Sequence, residues 1–170
     1  MHTIRYADRN DAKILGEIHS ASWREAYKGI IPDEILNSFT PERRESYFQR
    51  ALSEGWEEDA IIFNGKQALG LICIGKSRDP DLTADYGEIW GIYLLPEYWN
   101  QGIGSTLIDW GIDELKKRGY SRVSLWVLEE NMHACSFYER KGFRHDGAKK
   151  DIRIGAELTE VRYISLIPSY

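Results

Sequence analysis

The chain contains little cysteine, and its two cysteines, Cys73 and Cys135, lie far apart in apolar surroundings. Two thiols are too few for a disulfide scaffold or a cysteine-based zinc framework, so a reducing, cytoplasmic compartment is expected. The histidines also lack the spacing of metal ligands, which predicts no metal site. They stand at His2, His19, His133 and His145.

Long apolar runs and an excess of basic residues are also missing. No segment approaches the roughly 20 apolar residues of a membrane span, and the first residues lack the apolar region of a signal peptide. Lysine and arginine number 22 against 27 aspartates and glutamates, a net charge of −5. This balance argues against a nucleic-acid binder, which needs a basic face. With 42% apolar residues, the 170 residues are expected to form a single domain over 1–170.

The first third of the chain is predicted to be mostly helical after a short strand. His2 to Tyr6 alternates weakly, and Asp8, Asn10 and Asp11 are residues that start helices. Helices are expected from there to about Tyr27, from Asp33 to Phe39 and from Glu42 to about Ser53.

Beyond residue 60 the pattern favours strands. Two apolar runs, Ala60 to Phe63 and Gln67 to Ile74, flank Asn64-Gly65, a dipeptide typical of a type I′ hairpin turn. Lys76 to Asp85 is predicted to be a surface loop. A strand over Glu88 to Leu95, a helix over Gly104 to Arg118 and a strand over Val123 to Val127 form a βαβ unit, which predicts a parallel pair. A helix from Asn131 to Arg140 and strands from Phe143 to Ile167 complete an α/β fold.

The most informative segment is the loop Trp99-Asn100-Gln101-Gly102-Ile103-Gly104, which joins a buried strand to an amphipathic helix. Its glycines let backbone N–H groups converge at a helix N-terminus, an arrangement that suits a phosphate or pyrophosphate. Leu107 replaces the third glycine of the dinucleotide fingerprint, and no P-loop lysine follows. The alternative is that the glycines only make a tight turn.

Together with its surroundings, this loop resembles motif A of the GNAT superfamily of acetyl-CoA-dependent N-acetyltransferases, although Trp99 occupies the family's Gln/Arg position. A second family motif follows in Asn131, Ala134, Phe137, Tyr138 and Gly142-Phe143. The resemblance covers Gln67 to Phe143. It implies a mixed, mostly antiparallel central sheet with one parallel pair, flanked by helices.

The resemblance also implies the site. Acetyl-CoA is expected to contact Ile92, Leu94, Leu95, Gln101, Gly102, Ile103, Gly104, Ser105, Thr106, Asn131, Tyr138 and Lys141. Gly104 is expected to tolerate no Cβ, because of the phosphate or of its backbone angle. Basic residues of the segment 140–150 are interpreted as a rim that attracts the phosphates of CoA.

Glu88 matches the position of the family's base, and Tyr138 that of the acid that protonates the CoA thiolate. Each has a plainer alternative: a carboxylate at a strand end, and a tyrosine of the core. Trp23 and Tyr27 belong to the wall of the acceptor pocket or to the core, and Asn131 binds the pantetheine amide, caps its helix, or does both.

The sequence therefore predicts an enzyme that transfers acetyl from acetyl-CoA to a primary amine by direct attack, without a metal. A small cationic amine such as a polyamine suits an acidic protein, and no nucleic-acid or membrane partner is expected. The alternatives are a protein N-terminal or lysine acetyltransferase and a CoA-binding regulatory module without turnover. The apolar run Val161 to Ile167 could pair with a second subunit and form a homodimer.

Overall fold

The computed structural model describes residues 1–169, which form one seven-stranded sheet with helices on both faces. The strands are β1 (His2–Tyr6), β2 (Glu58–Asn64), β3 (Gln67–Lys76), β4 (Tyr86–Leu94), β5 (Arg122–Leu128), β6 (Arg144–Arg153) and β7 (Glu157–Leu166). The α-helices are α1 (Ala12–Ala26), α2 (Asp33–Ser38), α3 (Pro41–Glu54), α4 (Ile103–Lys117) and α5 (Met132–Arg140). Short 3-10 turns occupy Arg9–Asp11 and Pro96–Tyr98.

The strand order is β1-β2-β3-β4-β5-β7-β6, and every pair is antiparallel except β4–β5. This confirms the predicted mixed sheet and the parallel pair. The parallel contact is short, joining Tyr86–Glu88 to Arg122–Ser124. Beyond Glu88 the two strands separate, and the register of β4 against β3 shifts between Ile89 and Gly91. The sheet therefore opens between the carboxyl-terminal halves of β4 and β5.

Helices cover both faces of the sheet because each buries an apolar stripe at helical spacing. On α1 the buried positions include Ala12, Leu15 and Ile18, which pack with Phe48 of α3 on one face. On α4 they include Leu107, Ile108 and Leu115, which belong to the core on the other face. The predicted helix boundaries are confirmed within a few residues.

The hairpin between β2 and β3 differs from the prediction. Asn64 pairs with Gln67 in the ladder, so the two central residues of the turn are Gly65 and Lys66. Only Gly65 has a positive φ, of 58°. A type I′ turn needs positive φ at both central positions, so the predicted Asn64-Gly65 type I′ turn is wrong.

The sheet also corrects one prediction and confirms another. The final strand β7 lies between β5 and β6, so both of its edges are paired and it cannot recruit a second subunit by backbone pairing. The predicted surface loop is confirmed over 77–85. Ion pairs hold it to the sheet, with Asp79 and Asp81 on Arg162 and Arg78 on Glu88. Among the described residues, no helix has the length and apolar character needed to cross a membrane.

Candidate active site

A cavity of about 440 Å³ lies where β4 has separated from β5. Its walls come from α1, β4, the loop before α4, the first turn of α4, and α5. The lining residues are Ser22, Glu25, Ala26, Ile92, Leu94, Trp99, Asn100, Gly102, Gly104, Ser105, Asn131, His133, Ala134, Phe137, Tyr138, Arg140 and Lys141. Most of the residues expected to bind acetyl-CoA therefore surround one opening.

The loop before α4 is shaped by two positive φ angles, 59° at Asn100 and 79° at Gly102. Gly102 is the N-cap of α4, so the N–H groups of the first helical turn begin directly after it. Gly104 does not have a positive φ, and a Cβ there would meet a Leu94 methyl group at 3.3 Å and the Phe137 ring at 3.5 Å. The expected backbone restriction therefore applies to Gly102 and not to Gly104.

Trp99 supplies contacts of its own at the position where the family motif has Gln or Arg. Its indole N–H donates a hydrogen bond to the Leu94 carbonyl at 3.0 Å. Its ring lies against His133, with centroids 5.7 Å apart and planes inclined by 21°. Trp99 thus links the end of β4 to α5 and forms part of the cavity wall.

Four of the expected contact residues do not line the cavity. The Leu95 N–H donates to the Leu69 carbonyl at 2.9 Å, and Ile103 is buried in the core. The Gln101 side chain donates to the Glu97 carbonyl at 2.7 Å, and Thr106 bonds to Gly102 through both its N–H and its hydroxyl. These four residues contact the protein itself and stabilise the conformation of the loop.

Tyr138 reaches the cavity from α5 and is 8% exposed. Its hydroxyl has no hydrogen-bond partner among residues 1–169, so it is available to a ligand. Burial raises the pKa of Tyr138, and the phenol is therefore protonated at neutral pH. Asn131 caps α5 by accepting from the Ala134 N–H at 3.2 Å, and it also lines the cavity.

Part of the predicted basic rim is present. Arg140 and Lys141 line the cavity, and Lys141 pairs with Asp109 at 2.6 Å. Lys149 and Lys150 are instead engaged with Glu129 and Glu160, at 2.6 and 3.3 Å. The rim is thus confined to the end of α5.

Glu88 does not line the cavity. It is 1% exposed and points away from the face of Ile89, which lies in the core beneath α4. Arg78 donates three hydrogen bonds to its carboxylate, from the backbone N–H at 2.9 Å, from Nε at 3.2 Å and from Nη2 at 2.8 Å. Across the parallel ladder stands the buried Ser124, whose hydroxyl has no partner within residues 1–169.

The two aromatic residues expected at the acceptor wall also lie outside the cavity lining. Trp23 is 7% exposed and stacks on Phe39, with ring centroids 3.8 Å apart. Tyr27 packs edge-on against Trp23, and burial raises its pKa. The α1 residues that face the cavity are Ser22, Glu25 and Ala26. Their helical spacing marks them as one face, but the sequence does not show which face meets the cavity.

Comparison with known proteins places this cavity in a familiar fold. The acetyltransferase (GNAT) family model matches residues 15–143. YuaI of Bacillus subtilis (strain 168), an uncharacterized N-acetyltransferase, is 33% identical over 135 residues, covering 77% of this chain and 74% of the relative. A spermidine N(1)-acetyltransferase of Thermoplasma acidophilum is 29% identical over 149 residues, covering 83% and 87%.

Among solved structures, the PaiA N-acetyltransferase of Thermoplasma acidophilum in complex with coenzyme A has a TM-score of 0.74 at 24% identity. The match covers 95% of this chain and 98% of that one, which extends the likeness from the glycine loop to the whole sheet. The match to the family model over most of the chain, and a relative of 33% identity, identify this protein as an acyltransferase of the GNAT family of N-acetyltransferases.

Proposed function

We propose that the protein transfers the acetyl group of acetyl-CoA to the primary amine of a small cationic molecule such as a polyamine. The observation that carries the proposal is the cavity itself. It joins a helix N-terminus and two basic side chains, Arg140 and Lys141, to the unpartnered phenol of Tyr138. The helix N-terminus and the basic side chains suit the anionic phosphates of acetyl-CoA, and the phenol suits the departing thiolate, which needs a proton.

In this proposal the pyrophosphate of acetyl-CoA binds the N–H groups that follow Gly102, where the helix dipole favours negative charge. The pantetheine arm lies along Ile92 and Leu94, whose strand is not paired with β5 at that level. The unpartnered Tyr138 hydroxyl supports the fit, because a polar group at a cavity wall needs a ligand or water as its partner.

The chemistry is a direct displacement. The amine nitrogen forms a bond to the acetyl carbon, the carbon–sulfur bond breaks, and the Tyr138 hydroxyl gives its proton to the departing thiolate. The nitrogen loses its extra proton as the amide forms, and that proton restores the Tyr138 phenol through solvent. An alkyl ammonium has a pKa near 10.4, so a base must first take its proton. We propose Glu88 for this step, with the proton passing through water because its carboxylate does not reach the cavity.

Two observations support a cationic amine as the acceptor: the negative charge at the cavity and the similarity to a spermidine acetyltransferase. Glu25 of α1 is an exposed acidic residue that lines the cavity, and the whole chain has a net charge of −5. A carboxylate at the site attracts an ammonium group and repels an acidic acceptor. The likeness to a spermidine N(1)-acetyltransferase over 83% of the chain supports the same acceptor class.

An amine panel tests the proposal. Thiol release from acetyl-CoA and product mass are measured with spermidine, spermine, putrescine, free amino acids and a peptide with a free N-terminus. We expect the highest kcat/KM with a polyamine. A preference for the peptide would support the protein N-terminal alternative, and binding of acetyl-CoA without thiol release from any amine would support a regulatory module.

The role of Glu25 has a matched control on the same helix. Glu25→Gln is expected to raise KM for the polyamine by about tenfold, the loss of one modest charge interaction, with KM for acetyl-CoA unchanged. Glu17→Gln removes an exposed carboxylate of α1 that does not line the cavity, and should change neither constant. Equal effects of the two variants would mean that only overall charge matters.

A further inference from the structure

The cavity of about 440 Å³ that is proposed to bind acetyl-CoA is named the acetyl-transfer cavity. A second group of reactive side chains lies outside it. Glu57, Asp59 and Cys73 each offer one atom that could ligate a metal, and these atoms all lie within 4.8 Å of one another. Asp59 and Cys73 are direct partners in the antiparallel β2–β3 ladder, so the sheet register fixes their separation. Glu57 immediately precedes β2. The cluster contains no histidine, so histidine spacing does not reveal it.

The Asp59 carboxylate is an anomaly that needs an explanation. The residue is 2% exposed, and neither carboxylate oxygen has a hydrogen-bond partner within residues 1–169. Burying an ionised carboxylate without a partner costs several kcal/mol. Because no donor within residues 1–169 reaches these oxygens, they need either a proton or a bound cation.

The neighbouring cation does not satisfy them directly. Arg44 of α3 lies over the rings of Tyr47 and Phe48, at 4.3 and 5.3 Å, and its Nε has no hydrogen-bond partner within the described chain. The Tyr47 hydroxyl donates to Glu57 at 2.9 Å, which leaves the other carboxylate oxygen of Glu57 free of that contact. Arg44 contributes long-range charge without a bond to Asp59.

We propose that Glu57, Asp59 and Cys73 form a binding site for a divalent metal ion of the zinc class. Two carboxylate oxygens and one thiolate are ligands that Zn²⁺ accepts in tetrahedral geometry, whereas Mg²⁺ and Ca²⁺ prefer oxygen ligands alone. On binding, the ion replaces the thiol proton of Cys73 and the proton that satisfies Asp59 in the metal-free protein, and both protons leave to solvent. The three ligand charges are then balanced by the ion together with Arg44.

The fourth coordination position has an open approach. Glu57 and Asp59 also line a cavity of about 340 Å³, whose other walls include Tyr6, Ala7 and Leu52. None of the residues that line it also lines the acetyl-transfer cavity. In this proposal the ion is reached from this cavity on the side of Glu57 and takes a water molecule as its fourth ligand. It stabilises the corner where α3 packs on β2 and β3, because it binds the folded chain.

Cobalt is a spectroscopic probe for this site in the full chain. After removal of metal with a chelator, titration of the parent with Co²⁺ should give one equivalent of tetrahedral d–d absorption and a thiolate charge-transfer band. Cys73→Ser should lose the charge-transfer band. Cys135→Ser, the variant of the other buried cysteine, should keep it. Absence of the band in the parent, or its loss in Cys135→Ser, would overturn the proposal.

A second variant covers the case in which Cys73→Ser does not fold. Asp59→Asn keeps the side-chain shape and removes a buried charge, so the metal-free variant should unfold at a temperature no lower than the metal-free parent. Its Co²⁺ affinity should be at least about 100-fold weaker, more than is usual for loss of an outer partner. Zn²⁺ should raise the unfolding temperature of the parent and leave that of Asp59→Asn unchanged. Equal affinities, or no effect of Zn²⁺ on the parent, would mean that a proton alone satisfies Asp59.

Discussion

Arg78 encloses the carboxylate of Glu88 with three hydrogen bonds, two from its guanidinium and one from its own backbone N–H. The arginine side chain is about half exposed and lies over the Trp90 ring at 4.4 Å. Release of Glu88 therefore requires the movement of the Arg78 side chain and the loss of the hydrogen bond from the Arg78 backbone N–H. The Glu88 carboxylate can therefore take a proton from an amine only if Arg78 moves away or if water carries the proton to it.

The first prediction separates a base from a structural anchor at Glu88. If Glu88 takes the proton, Glu88→Gln should lower turnover about a hundredfold, bind acetyl-CoA normally, and recover rate at high pH, where free amine is abundant. If it only anchors the loop, the variant should keep its rate and lose stability. Rates from pH 6 to pH 9, with urea unfolding, distinguish the two.

Arg78→Ala provides the complementary measurement. Removing one partner of a buried ion pair leaves the other charge uncompensated, which costs about 3 kcal/mol for a buried pair. Because the Arg78 side chain is half exposed, water compensates part of this loss. A variant as stable as the parent would contradict the anchoring role of the pair.

The second prediction concerns the leaving group. Tyr138→Phe should lower turnover by about two to four orders of magnitude, the range for one general acid. It should leave stability unchanged, because the hydroxyl has no protein partner within residues 1–169. Tyr163→Phe is the matched control, since its hydroxyl donates to Glu139 at 2.9 Å. That control should lose about 1 kcal/mol of stability and keep its rate. An unchanged rate in Tyr138→Phe would return Tyr138 to a packing role.

The parts of the site that could be predicted from the sequence are those whose structure depends on residues close together in the chain. The loop around Gly102 and the helix that carries Tyr138 depend on neighbours a few residues away, so their patterns are readable in the sequence. The environment of Glu88 depends on Arg78, ten residues earlier, and on the loop that Arg162 of β7 holds in place. No local pattern encodes that long-range ion pairing.

The orientation of α1 shows the same limit. The aromatic side chain of Trp23 is expected from the sequence in the wall of the acceptor pocket. It stacks instead on Phe39 in the core, and Glu25 lines the cavity. The close approach of α1 to α3 fixes this rotation, because a Cβ on Gly16 would lie 2.7 Å from the backbone nitrogen of Glu45. That contact joins two helices whose relative position is not a property of either sequence segment alone.

The third prediction is a pH dependence of stability at the start of α1. Asp11 accepts two hydrogen bonds from Arg5, at 2.7 and 2.8 Å, and one from the Asp8 N–H at 2.8 Å. These contacts, led by the Arg5 hydrogen bonds, lower the pKa of Asp11. A lowered folded-state pKa stabilises the fold above the ordinary aspartate value and ceases to do so as pH falls through the lowered value.

Asp11→Asn should therefore reduce the free energy of unfolding by about 1–2 kcal/mol at pH 7, given that Arg5 is half exposed. The difference from the parent should shrink as the pH is lowered below the ordinary aspartate pKa of about 3.9. Asp113→Asn, at an exposed position of α4, should show no such trend. Urea titrations at neutral and acidic pH measure both variants, and a constant difference would contradict the assignment.

The last prediction tests where the pyrophosphate binds, using the two ends of α4. Gly102 at the N-terminus has φ 79° and Gly119 beyond the C-terminus has φ 92°, and a Cβ at either would meet no atom within 4 Å. Alanine at each position should therefore cost a similar amount of stability, about 1–2 kcal/mol, through left-handed backbone strain alone. Only Gly102 lines the acetyl-transfer cavity. Gly102→Ala should consequently weaken the thermal stabilisation that acetyl-CoA gives, because the strained backbone turns the first N–H groups of α4, whereas Gly119→Ala should keep it in full. Equal stabilisation of the two variants by acetyl-CoA would place the pyrophosphate elsewhere.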